Sequence, residues 1–301
     1  MELRSLEYFL SVAREGNISS TAAKLHMSQP ALSRQIKGLE TELGQRLFIR
    51  KSHGLALTPE GQLLRQYAEQ VCEVIGRAKA DFSTMRAKPL GDVHIGGCET
   101  EALRSLAGAM STCRAMQPAM KFHFSSGNSL DTVSRFDRGV FDFAVLAEPE
   151  ASSKYDWLTL PVCDQWAVHM RADNPLAARG VIRPTDLSLA GEPLIISSQA
   201  IGNVAENNVS RWFGENLANL NVVATFNLAY VGLLLLQEGL GSLVTYDYPH
   251  YHSIPGIVTR PLEPPAHSSQ VLAWRKGDTL TPAAAFFLEV LREQLKNPDA
   301  A

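Results

Sequence analysis

The chain has 301 residues, with 28 Lys and Arg against 31 Asp and Glu, a net charge of −3, 45% hydrophobic residues and 20% charged ones. This is the balance of an ordinary globular protein long enough for two or three compact units. It excludes binding of nucleic acid through global charge, so any such affinity must come from a local patch. Cys72, Cys98, Cys113 and Cys163 show neither close pairing nor metal-type spacing, which points to free thiols in a reducing compartment. No charged-then-apolar leader precedes the first helical pattern, and the most apolar stretch, Val231 to Leu236, is too short to span a bilayer. A cytoplasmic protein without membrane contact is expected.

The segment from Asn17 to Leu43 holds two short amphipathic helical patterns separated by a turn. In the first, Ala22, Ala23 and Leu25 pack inward. After the turn at His26 and Met27, Ser28 supplies a capping hydroxyl and Pro30 sits in a first turn that needs no internal N–H donor. Leu32, Ile36, Leu39 and Leu43 recur at three- and four-residue steps and define one buried face. Gln29, Ser33, Arg34 and Lys37 project elsewhere. A polar, cationic outer face suits the DNA major groove, where Gln and Arg make paired hydrogen bonds to adenine and guanine edges. The competing reading, a solvated face in some other small helical domain, does not account for cap, turn spacing and polar face agreeing.

Leu47-Phe48-Ile49-Arg50 and Leu55-Ala56-Leu57 are extended runs joined by Lys51-Ser52-His53-Gly54, a hairpin with Gly54 available for a positive φ. It would form a wing beside the second helix. From Lys24 to Lys51, six cations against Glu40 and Glu42 leave a local charge of +4. Phosphate contacts would be made there.

Thr58-Pro59-Glu60 starts a long helix with a capping hydroxyl, a first-turn proline and an acid. Leu64, Val71 and Ala78 are spaced by sevens, Tyr67 and Val74 interleave, and Ala68, Ile75 and Phe82 widen the stripe into a coiled-coil-like seam. The same helix of a second subunit is its natural partner, because a head that reads a two-fold site needs two copies; packing within one chain is the alternative. Pro89 and Gly91 end the pattern.

From Asp92 the chain alternates strand and helix. Val93 to Gly97, Lys121 to Ser125, Phe141 to Leu146, Gln165 to Met170, Leu194 to Ser197, Val222 to Phe226, Leu243 to Tyr246 and Gln270 to Trp274 read as strands. Glu101 to Met116, Ser129 to Arg138, Val204 to Leu217, Ala229 to Glu238 and a capped stretch from Thr281-Pro282 read as helices. Repeated βαβ implies a largely parallel sheet covered on both faces. Ligands in such sheets bind beyond the C-terminal strand ends, so the junctions Gly96 to Thr100, Ser126 to Ser129 and Ser197 to Gln199 are candidate sites. Plain helix capping is the competing role for their hydroxyls and amides. Glu99 and Glu101 flank the first junction and would repel a simple anion.

Enzyme readings find little support. Cys98 near a helix start has a setting that can activate a thiol, yet two glutamates oppose it and no base is identifiable. His250-Tyr251-His252 lacks further ligands at metal-site spacing, and a solvated loop is the better reading. No phosphate loop or dinucleotide fingerprint is present, and no cofactor is expected.

Leu6-Glu7-Tyr8-Phe9, Ala22-Ala23-Lys24-Leu25, Ser28-Gln29-Pro30-Ala31-Leu32-Ser33-Arg34-Gln35-Ile36, Leu39-Glu40, Leu43-Gly44, Leu47-Phe48, Arg50 and Thr58-Pro59-Glu60-Gly61 together give a dense, ungapped match. On these residues the chain resembles the LysR-type family of bacterial transcriptional regulators. The resemblance implies an α/β protein with a winged helix-turn-helix at 1–58, a dimerising linker helix at 59–88 and a two-lobed effector domain of periplasmic-binding-protein type at 89–301. Lobe I would comprise about 89–163 and 262–301, and lobe II about 164–261, with crossings near Val162 to Asp164 and Thr259 to Leu262.

With the helix face and charge already read, Gln29, Pro30, Ser33, Arg34, Lys37, Arg50 and Lys51 are expected to contact double-stranded DNA; the resemblance further implies that Thr100, Asn128 and Ser198 line a small-molecule effector cleft, with Cys98 and Ser197 of the same junctions expected beside them. A homodimer or homotetramer acting on RNA polymerase access is the implied assembly. The rival reading, a two-lobed binding protein or enzyme, would not need the first sixty residues.

Overall fold

The computed structural model describes residues 1–51, 54–87, 91–127, 129–147, 154–198 and 208–296. The hairpin tip at Ser52 and His53, the expected breaker Pro89, and Asn128 and Gln199 at the strand-end junctions lie outside them. Contacts divide the chain into two units, Met1–Ser83 and Thr84–Ala301.

The first unit contains α1 (Leu3–Glu15), α2 (Ile18–Lys24), α3 (Gln29–Leu43), a hairpin of β1 (Phe48–Lys51) and β2 (Gly54–Leu57), and the start of α4 (Pro59–Ala87). Leu6, Phe9 and Val12 of α1 meet Ala22, Leu32, Ile36, Leu39, Leu47 and Ala68 in one core. The Asn17 side chain caps α2, accepting from the amides of Ser19 at 2.8 Å and Ser20 at 3.1 Å. Two inward assignments change. Ala23 is exposed, and its neighbour Thr21 is buried instead, its hydroxyl donating to the Asn17 carbonyl at 2.6 Å. Leu43 is 39% exposed, being the last residue of α3 before the left-handed Gly44.

Gly54 takes φ 123°, and a Cβ there would lie 2.6 Å from the Gly16 carbonyl oxygen. That oxygen accepts from the Leu55 amide at 2.7 Å, so the return strand of the wing is pinned to the end of α1. The Thr58 hydroxyl accepts from the Gly61 amide at 2.9 Å and donates to the Arg46 carbonyl at 2.7 Å, capping α4 while holding it to the wing. The apolar stripe of α4 is divided between two faces. Leu64, Ala68 and Cys72 pack on the unit's own core, whereas Leu63, Tyr67, Val71 and Phe82 stay exposed.

The second unit runs β3 (Asp92–Gly97), α5 (Leu103–Met116), β4 (Lys121–Ser126), α6 (Ser129–Asp137), β5 (Phe143–Ala147), β6 (Tyr155–Arg171), α7 (Pro184–Ser188), β7 (Pro193–Ser197), α8 (Asn208–Phe213), β8 (Asn221–Phe226), α9 (Ala229–Gln237), β9 (Ser242–Tyr246), β10 (Ile257–Pro261), β11 (His267–Arg275) and α10 (Pro282–Lys296). The strands follow the order β4-β3-β5-β11-β6-β9-β7-β8, with β10 also on β6.

The sheet is mixed rather than largely parallel. β3 is parallel to β4 and β5, and β7 to β8 and β9. Between these βα halves run β6 and β11, antiparallel to each other because one leaves the first half and the other returns to it. The lower part of β6 pairs with β11, from Tyr155 to Gln165, and its upper part lies between β9 and β10. The return comes later than the sequence indicates. Leu262 and Ala266 are buried in the second lobe and β10 pairs there, so the chain goes back along β11 and not at Thr259 to Leu262. That stretch is strand-like in either lobe, which is why pattern alone misplaces it.

In the first lobe, Val93, Ile95, Leu106, Phe143 and Leu272 pack with Ala283 and Phe287 of α10. In the second, Leu194 and Ile196 of β7 face one core with Val168, Val209 and Phe213, while Ile195 faces another with Phe226, Leu233, Leu236 and Tyr251. Both sides of the strand are covered, as its unbroken apolar run requires.

Candidate functional site

α3 presents the first candidate surface. Ser28 opens it, its hydroxyl accepting from the Ala31 amide at 3.3 Å, and Leu32, Ile36 and Leu39 hold its inner face. Gln29, Pro30, Arg34 and Lys37 are exposed and Ser33 is half-buried. The Arg34 guanidinium rests on its own helix, donating to the Pro30 carbonyl at 3.3 Å, and Arg50 is exposed on β1. Lys51 ends β1, paired with Gly54. Sequence reasoning counts Glu40 only as a negative charge. Its carboxylate accepts from the amides of Leu47 at 2.8 Å and Phe48 at 3.3 Å, which ties wing to helix.

The second candidate is a cavity of about 240 Å³ between the starts of α5 and α9. Glu99, Thr100, Glu101 and Leu103 line it on the first lobe; Ala229, Tyr230, Tyr248, His250 and Tyr251 line it on the second. Of the expected effector residues, Thr100 is in this wall. Cys98 stands one residue behind it, Ser198 is exposed beyond the end of β7, and neither Ser198 nor Ser197 lines the cavity.

Asp164 organises the first wall from β6. Its buried carboxylate accepts the Thr100 hydroxyl and the Glu101 amide, the latter at 3.2 Å, while Thr100 Oγ1 accepts from the Ala102 amide at 3.1 Å. Burial pushes the Asp164 carboxyl up, against the hydrogen bonds from Thr100, Glu101 and Gln270. Burial, with the charge of Asp164 next, pushes the Cys98 thiol up to about 12. It is held as a neutral thiol, the opposite of an activated nucleophile.

The two lobes touch at this point. The Tyr248 hydroxyl donates across to the Glu99 carbonyl at 2.9 Å, while within the second lobe the Tyr251 hydroxyl donates to the Ala229 carbonyl at 3.2 Å. Burial raises both phenols, Tyr251 to about 12, so both rings are neutral. In the His250-Tyr251-His252 segment, His250 and Tyr251 line the cavity, and the two histidines stay exposed. Tyr251 is buried, and His252 Nε2 meets Asp247 at 2.6 Å.

The pattern described as "Bacterial regulatory helix-turn-helix protein, lysR family" matches residues 3–62, and that of the "LysR substrate binding domain" matches residues 86–296. The chain belongs to the LysR family. It is thus a DNA-binding transcription regulator whose second unit binds a small-molecule effector. The regulator IlvY of Escherichia coli K12 is 31% identical over 253 residues, 81% of this chain and 82% of its own. The Hca operon transcriptional activator HcaR of the same organism is 28% identical over 305 residues, spanning both chains fully. The crystal structure of CbnR, a LysR family regulator, superposes with a TM-score of 0.70 at 19% identity, covering 97% of this chain and 99% of that one. CbnR is also similar to this chain in a complex with its target DNA, with TM-score 0.70 and 20% identity.

Proposed function

We infer that this regulator reads its operator through Gln29, Pro30, Ser33, Arg34 and Lys37 on α3, with Arg50 and Lys51 of the wing on the phosphates. The observation that carries this is the exposed polar face of α3, backed by Leu32, Ile36 and Leu39 and tied to the wing by Glu40. The reading head occupies 1–58, the linker helix 59–88 and the effector domain 89–301. Leu63, Tyr67 and Val71, spaced by fours and exposed on α4, form the face that pairs with a second copy. The assembly is a homodimer or homotetramer in the cytoplasm that alters RNA polymerase access, and the protein catalyses no reaction. The effector occupies the cavity between the starts of α5 and α9, with Thr100 in its wall and Cys98 just behind it; Ser197 and Ser198 contact it only if the ligand extends beyond the cavity, and Asn128 lies outside the described residues.

Operator binding of Arg34→Ala tests the reader. A paired base contact removed costs about 1–3 kcal/mol at the specific site and leaves random DNA nearly unaffected, whereas Lys51→Ala weakens both. Full-strength operator binding by Arg34→Ala would remove α3 from that role. For assembly, Val71→Asp places an unpaired charge in the α4 face. Sedimentation should then show a half-sized species, and an unchanged mass would mean that this face does not pair.

A further inference from the structure

Three of the polar side chains around the cavity are acceptors whose protons are already committed, while the exposed Tyr230 and His250 complete its polar lining. Thr100 donates to Asp164, Tyr248 to the Glu99 carbonyl and Tyr251 to the Ala229 carbonyl. Glu99 and Glu101 add carboxylates, and among the described residues no Lys or Arg lines the wall. Glu101 shares its charge with Arg104 at 2.8 Å. Glu99 is exposed and has no cationic partner among the described residues.

An anion would look for the free amides at the start of α5. Those amides are used. Asp164 takes that of Glu101, the Thr100 hydroxyl that of Ala102, and the Thr100 carbonyl that of Leu103 at 3.2 Å. The protein's own buried carboxylate stands where a ligand carboxylate would dock. The start of α9 has no side-chain cap, but its Val231 amide is already taken by the Leu228 carbonyl at 3.1 Å, and the exposed Glu99 carboxylate on the facing wall opposes an anion there.

We propose that the effector is a small organic cation, an amine or ammonium compound, held by the Glu99 carboxylate and the tyrosine rings of the second lobe. This rests on the reading of the cavity as the effector site. An N–H donor satisfies the phenol oxygens and the carboxylate together, and a cation over a neutral ring face gains further attraction. The cavity volume of about 240 Å³ restricts the ligand to one smaller than drug size.

Three probes with one ring separate charge from shape: benzylammonium, benzoate and benzyl alcohol, each titrated calorimetrically into the full-length protein at millimolar concentration. Benzylammonium is expected to bind best. Glu99→Gln should weaken it at least about tenfold, Glu99→Asp should recover most of that loss, and Ala229→Phe, which fills the cavity, should abolish it. Melting temperatures without probe establish that each variant is folded. Preferred binding of benzoate, abolished by Ala229→Phe, would overturn the cationic class while leaving the cavity as the effector site. Benzylammonium binding untouched by Ala229→Phe would overturn the cavity reading as well. The absence of benzylammonium binding, or binding that ignores Glu99→Gln, would also overturn the proposal.

Discussion

The reading head and the effector cavity are held by contacts of very different span. In the head, Glu40 reaches seven residues to the Leu47 amide and Thr58 reaches twelve to the Arg46 carbonyl. Around the cavity, Thr100 meets Asp164 across 64 positions and Tyr248 meets Glu99 across 149. Short-span caps set the ends of the head's helices, and even the bond from Leu55 to Gly16 is shorter in span than the two around the cavity. Long-span contacts between lobes give a site that exists only while the lobes stay together, and a ligand can act only where two states differ.

The largest expected effect tests whether the two units stand independently. Phe287 is fully buried in the first lobe, with ring contacts to Phe122 at 5.4 Å and Phe143 at 5.6 Å. Phe287→Ala should cost the effector unit about 3–5 kcal/mol in chemical denaturation and leave the head's transition in place. A matching loss in both transitions would merge the two regions into one cooperative block.

A second effect is confined to the effector unit and set by pH. His169 is buried on β6, its ring nitrogens engaged by Thr259 at 2.9 Å and the Tyr246 carbonyl at 3.1 Å. Burial, the leading cause, lowers its pKa from 6.5 to about 4. On acidification the unfolded chain therefore takes up this proton first. The contribution of His169 is complete above pH 6.5 and shrinks as pH falls toward 4, by about 3 kcal/mol in all. Denaturation midpoints between pH 7 and 4 should flatten in His169→Gln, and an unchanged slope would assign the acid sensitivity elsewhere.

The smallest effect sharpens the head's side of the contrast. Glu40→Ala leaves two part-buried amides without their acceptor, for about 1–3 kcal/mol. It should also reduce the wing's share of DNA affinity, read as a smaller dependence of binding on salt. Parent-like stability and salt slope would show that the wing holds its place without Glu40.

The contrast also explains what the sequence revealed. Ser28, Thr58 and Gly54 announce themselves because caps and turns need particular residues at particular offsets, and the Leu32-Ile36-Leu39 face repeats at helical spacing. Strand and helix alternation after Asp92 was readable in part: Gln165 to Met170 marked only the upper end of β6, β10 was missed, and Val204 to Leu217 lies partly outside the described residues. Thr100 could be marked as a helix start, but nothing local pairs it with Asp164, an acid within a strand, and nothing brings Tyr230, Tyr248 and Tyr251 to the same wall. Expecting Ser197 and Ser198 there followed strand-end logic, while the second lobe's contribution comes from the start of α9 and the turn after β9. The stripe on α4 was visible as one seam because spacing cannot say which part the chain's own core will cover.

The antiparallel pairing of β6 with β11 restricts how an effector signal can travel. The ladder runs in two stretches, Cys163 to Gln165 and Tyr155 to Thr159, with a register shift between Ser269 and Val271, and within each stretch a one-residue slip would turn every side chain to the opposite face. They can still twist and flex together. The pairing resembles the spine between the boards of a book: opening and shutting would keep its rungs, and shearing would break them. If the effector enters near Glu99 and Tyr248 as proposed, what it can change is an angle, and an angle is what the regulator would convert into a change on DNA.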